Sequence, residues 1–184
     1  MSEIEKLFPI ILYFHNDIPN PKSLDTNTNV EYDLSYYNYL GLRNEYIEKN
    51  KNIIDSINLF FINEIPKGFN NLNELLEIIK NNINQEIKFK ILVKGFASPL
   101  ASNYYNLRLS KRRIKSIINY IKKFDNGLLS KEINNKIAFE YIPYGEEKAN
   151  KNVNDNPKNI KKSIYSIDAA KERKIELIGI KIEK

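Results

Sequence analysis

Cysteine and tryptophan are absent from this chain, and histidine and methionine occur once each. Without cysteine there is no disulfide, no thiolate metal site and no cysteine nucleophile. The single histidine, His15, argues against a histidine-built metal centre or a catalytic triad, so neither a metal nor a cofactor is expected. Long apolar runs are missing too: none approaches the roughly 20 residues of a membrane-spanning helix. Met1 to Glu5 is acidic rather than basic, and Leu7 to Phe14 is short and β-like, so no export signal is expected within this sequence. The lack of cysteine suits cytoplasm and periplasm equally.

What remains is ordinary globular material. With 184 residues, 42% hydrophobic and 28% charged, the chain can bury a sizeable core, and a single domain over 1–184 is expected. Its net charge of +6 permits an anionic partner without naming one.

Phe8 to Phe14 reads as a buried strand, ending at His15-Asn16-Asp17 before Pro19 and Pro21 interrupt regular structure. By default His15 faces solvent at the strand end. Asp33 to Ile62 carries apolar residues at helical spacing, weakened at Gly41, with a tyrosine cluster at Tyr32, Tyr36, Tyr37 and Tyr39 that reads as core and rim. Pro66, Lys67 and Gly68 are expected to stop this segment. A second helix follows, with Leu72, Leu75, Leu76, Ile79 and Ile83 on one face.

Ile87 to Lys94 alternates apolar and basic residues, the pattern of a strand with one packed face. After a Pro-containing loop, Asn103 to Phe124 forms a helix whose stripe is Leu107, Ile114, Ile117, Ile118 and Ile121. Arg108, Lys111, Arg112 and Lys115 take the opposite side, and 87–124 holds ten Lys or Arg and no acid. Such a run reads as a solvated face, though ten unbalanced charges exceed what solubility needs. A third strand is expected at Ile137 to Pro143, with Ile137, Phe139 and Tyr141 inward. The polar stretch 145–165 is longer than a connector requires. A short helix at Ser163 to Ala170 and a last strand at Arg173 to Ile182, with Gly179 marking a bulge, complete an α+β order.

The junction Gly95 to Arg113 is the best candidate site. A strand feeding a helix leaves unpaired N–H groups at the helix start, where an anion can sit. Asn106, Ser110 and Arg113 follow at i, i+4 and i+7 and share a helical face. Asn and Ser donate and accept, and Arg offers a planar fork suited to carboxylate. No paired acids and no base-activated nucleophile accompany them, so the expected role is binding, not catalysis.

Gly95-Phe-Ala-Ser98 followed by Asn106-x-x-Leu109-Ser110-x-x-Arg113 resembles the OmpA-like peptidoglycan-binding domain, whose pattern is G-H-T-D, seven residues, N-x-x-L-S-x-x-R-A. Leu12-Tyr13-Phe14, Gly145-Glu146 and Glu172-Arg173-Lys174-Ile175 extend the likeness. It spans about 8–22 and 72–182, and 30–66 resembles the helical insertion of a branch with Gly-Tyr-Ala-Ser-Pro-Leu-Ala. The resemblance implies a β-α-β-α-β sandwich: a mixed sheet packed on helices. It also implies noncovalent binding of the diaminopimelate stem peptide of peptidoglycan, in the periplasm and associated with the outer membrane. Carried over, Arg113 receives the carboxylate, Asn106 is the motif Asn and Arg173 the late Arg, and Asn16 and Asp17 match a contact region. Ser98 stands where the family has the acid that receives the ammonium. A serine can accept a hydrogen bond but cannot neutralise the charge, a loss of about 1.5–3 kcal/mol unless Asp17 compensates. The alternative is a retained fold serving as a protein–protein interaction module in an envelope assembly. Aromatics do not interleave with the 87–124 charges, so no nucleic-acid partner is expected.

Overall fold

A computed structural model describes residues 3–151 and 153–183. The fold is α+β: four strands form one mixed sheet with helices packed against it. The strands are β1 (Ile10–Tyr13), β2 (Lys88–Phe96), β3 (Ile137–Gly145) and β4 (Lys174–Glu183), in spatial order β1-β4-β2-β3. β2 pairs with β3 in parallel, and β4 lies antiparallel to both β1 and β2. Leu92 faces Gly179 while Val93 faces Leu177, so β4 bulges at Ile178, beside the expected glycine.

The two principal helices are α4 (Ile65–Asn82) and α5 (Asn103–Gly127), the latter leaving helical geometry from Phe124. Leu72, Leu75, Leu76 and Ile79 of α4 and Ile114, Ile117 and Ile121 of α5 join Ile10, Leu12, Phe89, Ile91, Ile175 and Leu177 of the sheet in one core. Helix α4 presses close to β1 at Gly68, where a Cβ would lie 1.8 Å from the Ile11 carbonyl oxygen.

Pro66 does not stop a helix. It occupies the first turn of α4, where its missing N–H breaks no helical bond. A π-helical turn, Phe60–Glu64, joins α4 to α3 (Ile54–Leu59) without a loop. The expected single helix over 33–62 is instead α1 (Tyr32–Gly41), α2 (Arg43–Lys49) and α3, broken at Leu42 and at Asn50 to Ile53. Tyr32, Tyr36, Tyr39 and Tyr46 are buried, and Tyr36 stacks on Phe69 of α4 at 4.2 Å.

The 145–165 stretch is partly helical. It includes α6 (Ile160–Ser163), and α7 (Ile167–Glu172) begins later than expected because Ser166 caps it, accepting from Ala169 N at 3.2 Å. In β3, Ile137 is buried but Tyr141 is 52% exposed, contrary to the inward expectation, because β3 is an edge strand that the helices cover only in part.

Candidate ligand-binding site

The C-terminal end of β2, the start of α5 and the loop after β1 converge on one open cavity of about 490 Å³. Asn16, Asp17, Ser98 and Asn106 line it together with Lys22, Leu24, Leu100, Ala101, Tyr105 and Leu109. Of the seven residues singled out in the sequence, these four meet there; Arg113, Ser110 and Arg173 lie outside the lining.

Each wall has a local cause. Ser102 caps α5, its Oγ accepting from Tyr105 N at 3.3 Å. Ala97 N donates to Gly145 O at 2.7 Å, fixing the strand end against β3. Gly145 has φ +60, and a Cβ there would meet Leu107 N at 3.0 Å, so the first turns of α5 rest directly on its backbone. Asn106 Nδ2 donates to Ala101 O at 3.0 Å and to Glu146 Oε2. Asp17, in the left-handed region at φ 57, accepts from Lys22 N at 2.9 Å and from the Tyr105 hydroxyl. Burial, aided by Asp17, raises the Tyr105 hydroxyl above its ordinary range, which keeps it a donor.

Arg113 is fully buried behind this cavity. It donates from Nε to Ile18 O at 3.0 Å, from Nη1 to Phe96 O at 2.9 Å and from Nη2 to His15 O at 3.3 Å. Burial and the neighbouring Arg173 pull its pKa down to about 9, so it stays charged at neutral pH. Arg112 is equally buried, although the sequence places it on a solvated face. It donates to Pro19 O at 3.2 Å, Ser23 O at 2.6 Å and Asp25 O at 2.8 Å, and to Tyr105 Oη at 3.2 Å. Arg108 reaches Leu24 O at 2.8 Å and Asn119 reaches Thr28 O at 2.7 Å. One face of α5 thus holds an otherwise irregular loop by its carbonyls. Part of the unbalanced positive charge of 87–124 is spent inside the molecule.

Ser110 is buried and donates to Leu107 O at 2.8 Å, a bond within α5. Arg173 belongs to a second polar cluster. Its Nη2 donates to Tyr46 Oη at 3.0 Å and to Ile164 O at 2.7 Å, linking the start of β4 to α2 and to the turn after α6. His15 is drawn into the same cluster rather than facing solvent. Its ring sits 5.6, 6.0 and 6.1 Å from those of Tyr39, Tyr46 and Tyr165, with Nδ1 3.3 Å from Tyr46 Oη. Burial, then Arg173 and Arg113, push its pKa down to about 3, so it is neutral at physiological pH.

Sequence reasoning missed Tyr105, Lys22 and the burial of Arg112. Arg113 carried a legible signal: it stands four residues from both Leu109 and Ile117, on the core-facing side of the helix. Among the described residues no cluster of His, Asp or Glu could hold a metal ion, and no helix is long and apolar enough to cross a membrane. No family model matches the chain, and no curated protein is significantly similar to it in sequence.

Proposed function

We propose that this chain is an OmpA-like module that binds the diaminopimelate stem peptide of peptidoglycan noncovalently, anchoring an envelope protein or assembly to the cell wall. On this reading it works in the periplasm, in association with the outer membrane. The observation that carries the reading is that Asp17 and Ser98 line one cavity. The acid missing from the strand end is supplied by the neighbouring loop. The order β1, α1 to α4, β2, α5, β3, followed by α6, α7 and β4, contains the β-α-β-α-β succession with Asn106 on the helix after the second strand, and supports the same reading.

The roles then differ from a direct transfer of the motif. Asp17 receives the ligand ammonium with Ser98 as a neutral acceptor beside it, and Lys22 is the cation in the lining that can meet a carboxylate. Arg113 positions the loop that bears Asp17 and does not touch ligand. No bond is made or broken, and the role is binding.

Titration calorimetry with a purified muropeptide tests this. The wild type is expected to bind the diaminopimelate form and to prefer it over the form with lysine in that position, which lacks the second carboxylate. No heat from the diaminopimelate form overturns the reading.

The full engagement of Arg113 by backbone carbonyls favours a second reading, an interaction module whose ligand site has lapsed. In that case the wild type ignores both muropeptides, and replacing Arg113 acts through stability alone.

A further inference from the structure

Away from this cavity, the sheet ends in an unpaired edge. β3 is the outermost strand beside β2. Phe89 N donates to Lys136 O at 2.7 Å, and Phe89 and Ile91 stand opposite Ile137 and Phe139. In a parallel ladder this register turns the N–H and C=O groups of Phe139 and Tyr141 away from β2. Among the described residues no hydrogen bond covers those groups. An uncovered edge is a template for another strand.

A groove runs beside the edge. It has about 330 Å³ and is walled by Ile114, Ile118, Lys111 and Lys115 of α5, by Tyr141, and at one end by Thr26 and Asn27. Tyr141 and Ile142 are 52% and 48% exposed, one on each face of the strand. Lys111 and Lys115 have no ion-pair partner among the described residues. Glu140, the one acid of β3, projects to the opposite face from Tyr141.

We propose that the groove between β3 and α5 takes an extended acidic segment of another protein, added to the sheet beside β3 as a further strand. The backbone of Phe139 and Tyr141 supplies the pairing, Tyr141 and Ile118 receive apolar side chains, and Lys111 and Lys115 receive carboxylates. Pro143 has no N–H to donate and limits the pairing at that end. Charge selects the occupant. A second copy meeting this one edge to edge would bring its own Lys111 and Lys115 to the same seam, where like charges repel. The inference does not depend on peptidoglycan binding, because the two sites share no residue.

The experiment is an NMR titration of the whole chain with a short synthetic peptide alternating valine and glutamate, and with its valine–lysine counterpart. The acidic peptide is expected to bind and to shift the amides of Phe139 and Tyr141. The double variant Lys111→Glu, Lys115→Glu should weaken it about tenfold or more, and added salt should weaken it further. Tyr141→Pro removes an outward donor without breaking a bond to β2 and should abolish binding. If that variant fails to fold, the lysine variant decides, since both side chains lie on the helix surface. The proposal is overturned if the acidic peptide does not bind, if the basic peptide binds equally, if the shifts fall elsewhere, or if the chain dimerises through β3.

Discussion

Arg113 Nη1 donates to the Phe96 carbonyl at 2.9 Å, tying α5 back to the end of the strand that feeds it. The same guanidinium holds His15 and Ile18, so one side chain sets the spacing of strand, helix and loop. Arg113→Ala leaves these carbonyls buried without a donor, a loss of about 3 kcal/mol or more. Arg113→Lys keeps the charge but not the fork, and should recover only part of that loss. Urea unfolding of the three proteins checks the order: wild type, then Lys, then Ala.

His15 makes the fold acid-sensitive. Its pKa is about 3 in the fold against an ordinary 6.5. Between those values the unfolded chain binds a proton that the folded chain does not, so stability falls as pH drops through that window and is full above it. The effect is on the order of a few kcal/mol. His15→Gln should lose less stability than wild type between about pH 7 and about pH 4, measured by urea midpoints. Equal losses would remove His15 from the account.

Much of the fold is legible in the sequence, and each departure depends on context beyond the local pattern. β1, β2, α5 and β4 follow from periodicity, because alternation and the helical stripe report directly on which side is buried. Arg112 and His15 lie inside although composition assigns charged and titratable groups to the surface. Tertiary structure can bury them once enough carbonyls or rings gather round. Pro66 starts a helix where the pattern suggests a stop, because a proline's effect depends on where the helix begins. Tyr141 looked inward because alternation gives the face of a strand and not whether that face is covered. Lys22 enters the cavity through the path of the loop, which no pattern in 15–30 specifies, and Tyr105 of α5 becomes a cavity wall because that loop brings Asp17 to its hydroxyl.

Asp17→Asn separates binding from folding. Asparagine keeps one acceptor for Lys22 N and turns its amide nitrogen toward Tyr105 Oη, which can accept in place of donating, and it tolerates the left-handed backbone at φ 57. Stability should change little. Under the proposed binding role, affinity for the diaminopimelate muropeptide should drop about tenfold to a hundredfold, the value of one charge-assisted partner. Paired calorimetry and unfolding curves check both halves.

Gly145→Ala tests how tightly α5 rests on the end of β3. A Cβ there meets Leu107 N at 3.0 Å, and the backbone sits at φ +60. The variant should lose about 1–3 kcal/mol and bind the muropeptide more weakly, because Asn106 adjoins the contact. Thermal unfolding and titration of the same sample measure both effects.

The loop from His15 to Thr28 is gripped by its carbonyls, which every residue type possesses. That grip does not depend on the side chains of the gripped residues, while the left-handed positions Asp17, Asn20 and Lys22 restrict what can stand there. Substitutions at the other rim positions can change what lines the cavity while the rim itself stays in place. A frame built this way separates the inheritance of shape from the inheritance of the cavity's chemistry.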